Sequence, residues 1–181
     1  GNNATNGGAV YATGETLNVS YSKFTGNHAR NEGGAVYMKG QNSFIDYSEF
    51  TKNTAVNSGG AIVLEGNNQH VFKSTFTENK ASGSGGAIYT KQKENIYIQN
   101  STFTSNWAHY NGGAIYNPGT VGARVYIQYN EFITNIAEHN AGAIYYIIDA
   151  DQASTAKVYR DYNNFDGEGV ITDGKTTVEI I

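Results

Sequence analysis

Three side chains, His109, Glu138 and His139, have the chemistry to hold a metal ion or to move a proton. Imidazole nitrogens and carboxylate oxygens are common zinc ligands and common general acids and bases. Their spacing matches no established metal motif, however, and all three stand in turn-like segments beside small residues. We therefore interpret them as exposed turn residues, and the sequence predicts no cofactor.

Acidic residues near the C-terminal end offer a second kind of chemistry. Asp149 and Asp151 provide oxygen ligands, but fewer than the roughly six to eight that calcium takes. Asp161, Asp166 and Glu168 form a further group of such ligands. The sequence leaves open a structural calcium ion at either group.

Cleavage of a polysaccharide would need two carboxylates on either side of one bond. When the chain is aligned on its internal repeats, no two acids occupy the same position in adjacent repeats. Adjacent repeats instead place Lys23 beside Glu49 and Lys52 beside Glu78, which indicates exposed ion pairs. We therefore expect no enzyme activity. A polysaccharide lyase or hydrolase is the alternative, because such enzymes often use β-helices.

The elements that must position these residues follow from internal repeats. A triplet of small residues followed by Val or Ile returns at intervals of 26, 26, 26, 27 and 29 residues, beginning at Gly7, Gly33, Gly59, Gly85, Gly112 and Ala141. Between successive triplets a Phe is followed three residues later by Asn, at Phe24 and Asn27, Phe50 and Asn53, Phe76 and Asn79, Phe103 and Asn106, and Phe132 and Asn135. A fixed period of this length indicates a stacked solenoid.

The segments between the glycines and the asparagines are short and rich in Val, Ile, Tyr, Phe and Thr, which favours strands. We place inward the aliphatic residues found five positions before Phe and the serines found two positions before it. Because the faces of a strand alternate, the chain must turn a corner between these positions. With the triplet strand, this gives three short strands per coil. The sequence thus predicts an all-β, right-handed parallel β-helix with about 26 residues per coil and roughly seven coils.

The repeated residues have structural roles in this fold. We expect the Val or Ile column and the five Phe residues to fill the core. The five Asn residues suit a corner, because Asn tolerates the left-handed region and stacked amides can bond each other between coils. The paired glycines let the backbone round another tight corner.

We expect residues 1–181 to form a single domain, either a mature protein or a fragment or subunit of something larger, because Asn2-Asn3-Ala4 already matches the Asn-x-Ala after each later Phe. Residues 157–181 are expected to form a divergent closing coil, since Phe165 lacks its Asn partner. Charged residues make up 15% of the chain and the net charge is −4, so the basic surface of a nucleic-acid-binding protein is missing. No apolar run approaches the roughly 18–20 residues of a membrane span, and we expect no membrane insertion by this segment.

Two aromatic columns carry the strongest signal for binding. One follows the Val or Ile of the triplets and includes Tyr89, Tyr116 and Tyr145. The other stands six positions before Phe and includes Tyr97, Tyr126 and Tyr159. Strand alternation points both columns outward. Such tyrosines can stabilise neighbouring strands, or they can form a platform for a sugar or a protein, because each offers an apolar face and a hydroxyl group.

Gly-Gly-Ala-Ile and Phe-x-x-Asn, alternating through residues 2–145, resemble the repeats of the chlamydial polymorphic membrane proteins. The longer string Phe-Thr-x-Asn-x-Ala, followed by Gly-Gly-Ala-Ile-Tyr, resembles even more the adhesin-like surface proteins of methanogenic archaea. This resemblance implies secretion, surface display and adhesion.

We therefore expect an extracellular structural or adhesive module at the cell surface, which contacts a carbohydrate or a protein of another cell through an exposed face of the β-helix. The alternative is the subunit of an extracellular filament. Open ends of a β-helix expose unpaired strand edges, which can pair with copies of the same chain.

Overall fold

The computed structural model describes residues 1–91, 94–119 and 124–147, together with the backbone of three later strands, Lys157–Tyr159, Asn164–Phe165 and Val170–Asp173. These described residues form strands and turns and contain no helix. Strands follow one another in a fixed order of four, and each pairs in parallel with its equivalent one repeat away. The fold is a parallel β-solenoid of about five turns with about 26 residues per turn.

Four parallel sheets run along the stack, and each takes one strand from every turn. The triplet sheet contains β2 (Val10–Ala12), β6 (Val36–Met38), β10 (Ile62–Leu64), β14 (Ile88–Thr90), β18 (Ile115–Asn117), β22 (Ile144–Ile147) and β25 (Val170–Asp173). The aromatic sheet contains β3 (Asn18–Ser20), β7 (Phe44–Asp46), β11 (Gln69–Phe72), β15 (Ile96–Gln99), β19 (Arg124–Gln128) and β23 (Lys157–Tyr159). The phenylalanine sheet contains β4 (Lys23–Thr25), β8 (Glu49–Thr51), β12 (Thr75–Thr77), β16 (Thr102–Thr104), β20 (Glu131–Ile133) and β24 (Asn164–Phe165). The alanine sheet contains β1 (Asn3–Ala4), β5 (His28–Ala29), β9 (Thr54–Ala55), β13 (Lys80–Ala81), β17 (Trp107–Ala108) and β21 (Ile136–Ala137).

The alanine sheet corrects the prediction of three strands per turn, because each turn has four. After the Asn of each Phe-x-x-Asn motif comes a two-residue strand such as β9, whose Ala55 is buried. Its backbone pairs with β13 in the next turn. This two-residue segment lies between two corners, is extended and is in register with its equivalents in adjacent turns. Its backbone N–H and C=O groups therefore form hydrogen bonds to those equivalents.

The core is a column of stacked apolar side chains. Phe50, Phe76, Phe103 and Phe132 are fully buried, and successive Phe rings lie 4.8–5.0 Å apart and nearly parallel. Phe24, in the first turn, packs on this column and is partly exposed. Parallel pairing in register sets equivalent residues above one another, so the period of the sequence becomes a stack in space.

The triplets make one corner of each turn and allow close stacking of the turns. Gly59 has a left-handed backbone with φ +68°, which is costly for residues with a Cβ. The second glycine lies against the next turn, and a Cβ added to Gly60 would come within 2.1 Å of the carbonyl oxygen of Gly86. Glycine is therefore required at Gly60 by space and at Gly59 by conformation.

The Asn column holds its corner in a different way from that predicted. The left-handed backbone belongs to the residue before Asn, as at Lys52 (φ +55°) and Glu78 (φ +53°), and not to Asn itself. The backbone N–H and the Nδ2 of Asn53 both donate to Oδ1 of Asn79, each at 3.0 Å. This pattern continues without a break along Asn2, Asn27, Asn53, Asn79, Asn106 and Asn135. The oxygen of each buried Asn amide therefore accepts hydrogen bonds from the Asn of the neighbouring turn, and this stack of amides holds the corner in place.

Candidate binding surface

The outer face of the aromatic sheet carries a continuous stack of rings. The centroids of Phe44, His70, Tyr97 and Tyr126 follow one another at 4.6, 4.4 and 4.6 Å, with interplanar angles of 17°, 10° and 5°. Each ring is at least partly exposed. The backbone of Tyr159 pairs with Tyr126 in the same register, while its side chain lies outside the described residues. The structure thus places one predicted aromatic column in a single row, which we call the ring row.

The second predicted column, on the triplet sheet, is less accessible than strand alternation alone suggests. Tyr89 and Tyr116 stack at 5.5 Å and are partly exposed. Tyr145 stacks on Tyr116 at 5.7 Å, but only 4% of its surface is exposed. The two columns belong to different sheets, and the ring row is the more open of the two.

A charged cluster covers part of the triplet sheet, and sequence reasoning missed it. The Nζ of Lys91 lies 2.5 Å from Glu32 and 3.9 Å from Glu65, and it donates a hydrogen bond of 3.0 Å to the hydroxyl of Tyr37. Tyr37 donates to Glu65, which also pairs with Lys39 at 3.3 Å. These five residues, the Lys91 cluster, come from three successive turns, and three of them, Lys39, Glu65 and Lys91, occupy the same repeat position at intervals of 26 residues. An alignment of the repeats shows this column of alternating charge, whereas Glu32 and Tyr37 stand at other repeat positions.

Burial and pairing shift the protonation equilibria of this cluster. Burial and the hydrogen bond to Glu65 raise the pKa of Tyr37 to about 12. Burial alone would lower the pKa of Lys91, but its hydrogen bonds to Glu32 and Tyr37 raise that pKa above its ordinary value. Burial by itself would raise the pKa of Glu65, but the hydrogen bonds from Tyr37 and Lys39 lower that pKa below its ordinary value. The arrangement favours a charged lysine, a neutral tyrosine and a charged glutamate.

A second exposed aromatic feature lies at the corner between the aromatic and phenylalanine sheets. This corner column has a left-handed backbone at every described turn, with φ values of +45° to +57° at Tyr21, Tyr47, Lys73, Asn100 and Tyr129. The three tyrosines are 78%, 41% and 52% exposed. The inward serines of the next position support the corner, since Ser48 N–H donates to Ser74 Oγ at 3.2 Å. Because the residue type at this corner differs from turn to turn, an alignment of the repeats does not reveal the corner column.

Between Tyr47 and Tyr129 the corner column opens into a groove of about 500 Å³. We call it the corner groove. It is lined by Lys73, Asn100, Ser101, Thr102, Tyr129, Asn130 and Glu131. It combines small polar side chains, an aromatic ring and charges of both signs, which is a surface suited to a polar ligand.

The remaining residues singled out in the sequence pair locally. Nδ1 of His109 lies 2.6 Å from Glu138 Oε2, and the ring of His139 lies 5.4 Å from that of His109. Within the described residues no group of three or more His, Cys, Asp and Glu side chains could hold a metal. The predicted ion pairs between the turns are present and exposed, at 2.9 Å for Lys23–Glu49 and 3.5 Å for Lys52–Glu78. The possible calcium ligands Asp149, Asp151, Asp161, Asp166 and Glu168 lie outside the described residues.

The fold and its repeats define a β-solenoid repeat protein. Four segments of the chain match the model of the Chlamydia polymorphic membrane protein repeat, at residues 22–39, 47–65, 73–91 and 100–118. Each segment covers one Phe-x-x-Asn motif and the triplet after it. The chain therefore carries repeats of the polymorphic-membrane-protein type, whereas the likeness to archaeal adhesin-like proteins stays a prediction.

No curated protein and no solved structure matches the chain. In the part of the chain that the structure describes, no helix has the length and hydropathy needed to cross a bilayer.

Proposed function

We propose that this protein is an extracellular adhesive module displayed at a cell surface, without catalytic activity. Two observations support the proposal. The repeats are of a type named for chlamydial membrane proteins, and the described turns present a regular face of strands in parallel register. A solenoid of this kind holds equivalent side chains at a constant spacing along its length.

The observation that carries the proposal is the ring row on the aromatic sheet. Tyr97 and Tyr126 are only 4.6 Å apart and nearly parallel, so their outer edges and hydroxyls form one continuous strip. An aromatic strip of this kind can contact the apolar face of a sugar or an apolar side chain, while its hydroxyls bond polar groups. We assign adhesion to Tyr97, Tyr126 and Tyr159, with Tyr89, Tyr116 and Tyr145 as a second and less accessible surface.

Replacing Tyr97, Tyr126 and Tyr159 together by Ser tests this assignment. We expect the triple variant to bind cells much more weakly per folded molecule, as measured by attachment of protein-coated beads to cultured cells. A matched control replaces Tyr110 by Ser, since Tyr110 is 49% exposed and lies outside both aromatic columns. If the triple variant melts early but binds normally per folded molecule, the ring row is a stabilising ladder and the proposal is wrong.

The proposal that the protein is not an enzyme rests on the separation of its acids. Asp46 is the acid of the aromatic sheet's described strands, and its neighbours in register on the adjacent strands are Ser20 and Phe72 rather than a second acid. Incubation with a panel of plant and microbial polysaccharides should release neither reducing ends nor unsaturated products. Release of either product, abolished by Asp46→Asn, would establish a polysaccharide-cleaving enzyme instead.

End-to-end stacking into a filament is the second candidate function. At one end of the stack, β1, β2, β3 and β4 are the outermost strands of the four sheets, and Val10, Leu17 and Phe24 are less buried there than their equivalents in later turns. A further turn in the same register would satisfy these edges, whether it came from another copy or from the same polypeptide. Light scattering and electron microscopy of the purified chain distinguish a filament from a monomer.

Several finer features belong to the same proposal. We propose right-handed winding, because parallel crossover connections are right-handed in nearly all proteins, and roughly seven coils over the whole chain. We also propose a relationship to the archaeal adhesin-like proteins, on the strength of the Phe-Thr-x-Asn-x-Ala string. A crystal structure would show winding and coil number directly.

A further inference from the structure

The stacking of the ring row determines which part of each ring faces solvent. His70 lies between Phe44 and Tyr97, and Tyr97 lies between His70 and Tyr126, with centroids 4.4–4.6 Å apart and planes within 17° of parallel. The faces of the inner rings are therefore covered by their neighbours, and the ring edges point away from the sheet. Because an aromatic ring is negative on its face and positive at its edge, the row presents a strip of positive edges.

This geometry distinguishes between two kinds of ligand that aromatic surfaces bind. A sugar packs its C–H groups on the negative face of a ring, and the inner rings of the row have no such face open. A flat aromatic ligand instead lays its own negative face across ring edges, which is a preferred arrangement of aromatic pairs. The ring row therefore favours a flat aromatic group over a sugar.

The length of the row indicates the length of the ligand. Its four described rings, at intervals of 4.4–4.6 Å, form a strip of roughly 14 Å. The backbone of Tyr159 continues the register by one more turn. A rigid conjugated ligand of two or three ring systems matches this length when it lies along the axis of the stack. Such a ligand contacts several turns at once and loses little conformational freedom on binding.

Polar rows border the strip on both sides. Two residues before the rings, the amides of Asn42, Asn68 and Asn95 are joined by hydrogen bonds of 3.0 and 2.9 Å. Two residues after the rings, Gln99 donates to Gln128 at 2.8 Å. The apolar strip between these amides is a single ring wide. It fits a narrow ligand better than the broad surface of a folded protein, which would need roughly 800 Å² on this chain.

The charges around the row favour a cationic ligand. Burial lowers the pKa of His70, so the imidazole is neutral at neutral pH and the row itself carries no charge. Asp46 stands two residues after Phe44, and its Oδ1 has no hydrogen-bond partner among the described residues. Lys73 is a nearby cation, and its Nζ lies at the corner, 3.3 Å from the hydroxyl of Tyr47. The net charge of −4 acts in the same direction as Asp46.

We propose that the ring row binds flat, elongated aromatic cations, which lie along the axis of the stack with their faces on the edges of His70, Tyr97 and Tyr126. The contacts are edge-to-face, and Asp46 attracts the positive charge. This inference rests on the proposed adhesive function and deepens it, because it names the chemical class that the ring row recognises.

Thioflavin T serves as the probe, because it is flat, elongated and cationic and because its fluorescence rises when its two ring systems are held rigid. Titration of the full chain, followed by fluorescence and by calorimetry, should show saturable binding. We expect Tyr97→Ser to weaken binding roughly tenfold, whereas Tyr97→Phe, which keeps the ring, should change it by less than about twofold. Tyr110→Ser is the matched control and should bind like the unaltered protein, since Tyr110 is 49% exposed and lies outside both aromatic columns. Thermal melts establish that each variant is folded.

Asp46→Asn tests the preference for a cation. It should weaken the binding of thioflavin T severalfold, because it removes a negative charge beside the row. The uncharged analogue that lacks the methyl group on the thiazole nitrogen should bind Asp46→Asn and the unaltered protein equally well. Equal binding of thioflavin T to both proteins would refute the cationic preference.

The inference is overturned by an absence of saturable binding, by binding that Tyr97→Ser leaves intact, or by equal losses in Tyr97→Ser and Tyr110→Ser. Attachment of protein-coated beads to cells, measured in parallel, separates it from the function on which it rests. Attachment that depends on the ring row, without binding of thioflavin T, leaves adhesion standing and excludes this ligand class. Binding of thioflavin T that Tyr97→Ser abolishes, with attachment that does not depend on the row, leaves the ligand class standing and excludes adhesion through the row.

Discussion

Phe76 stands in the middle of the buried ring stack, 4.9 Å from Phe50 and 4.8 Å from Phe103. Phe76→Ala should lower the free energy of unfolding by about 3–5 kcal/mol, because it removes a fully buried ring and leaves a cavity between two others. Phe24→Ala is the matched control and should cost less, since Phe24 has a ring on only one side and is partly exposed. Urea denaturation followed by circular dichroism gives both values. Equal losses at the two positions would contradict a closed central core.

Tyr37 makes the stability of the protein depend on pH on the alkaline side. Its folded pKa of about 12 lies above the ordinary value of 10.0, so its contribution is complete below pH 10 and is lost as the pH rises toward 12. The folded pKa of Lys91 is also raised, so the contribution of Lys91 to stability is likewise lost as the pH rises. Glu65 has a lowered pKa, so its contribution is present at neutral pH and is lost as the pH falls through the folded value.

We therefore expect the free energy of unfolding to fall between about pH 10 and pH 12, and Tyr37→Phe to make that fall shallower. Urea titrations at a series of pH values measure it. Tyr21→Phe, which changes a tyrosine on the exposed corner, should leave the slope as it is. An unchanged slope in Tyr37→Phe would mean that the Lys91 cluster does not stabilise the folded state.

At the scale of strands and corners, close stacking of the turns depends on the second glycine of each triplet. Gly60→Ala would place a Cβ 2.1 Å from the backbone of Gly86, and only a shift of two turns could relieve this contact. We expect a loss of about 1–3 kcal/mol or more. Gly14→Ala is the control, because a Cβ there meets nothing within 4 Å, and it should be neutral or raise stability by about 0.4–1 kcal/mol. Thermal unfolding of both variants decides, and a neutral Gly60→Ala would contradict the observed stacking distance.

Strands and core could be predicted from the sequence because the solenoid repeats them. Each turn presents the same inward residues, so the period alone indicates the parallel stack. The fourth strand is not evident from the sequence because it has only two residues after the Asn corner, too few to show strand alternation. The corner column was missed because only backbone conformation unites Tyr47, Lys73 and Asn100. Within the Lys91 cluster, the period does relate Lys39, Glu65 and Lys91, which share one repeat position. The contacts of Lys91 with Glu32 and Tyr37 join different repeat positions, and the period carries no information about them.

For the whole molecule, the strand pairing joins each turn only to the turns beside it. Stability in such a stack is approximately a sum of the turns and of the interfaces between neighbours. The first turn has one neighbour, and its Val10, Leu17 and Phe24 are only partly buried. The middle turns have two neighbours, and the Lys91 cluster further ties Tyr37 to Lys91 across two turns.

Native-state hydrogen exchange should therefore be graded along the stack and not uniform. We expect the amides of β10 and β12, in the middle, to exchange slowest, and those of β2 and β4, at the outer edge, to exchange fastest, because the edge turn can open without disturbing the others. Mass spectrometry of peptides from each turn measures this gradient. Lys91→Met should speed exchange in β6, β10 and β14, the strands that the Lys91 cluster covers, while leaving β4 unchanged. Uniform exchange that follows global unfolding at every turn would show that the stack folds as one cooperative unit, and the nearest-neighbour description would then fail.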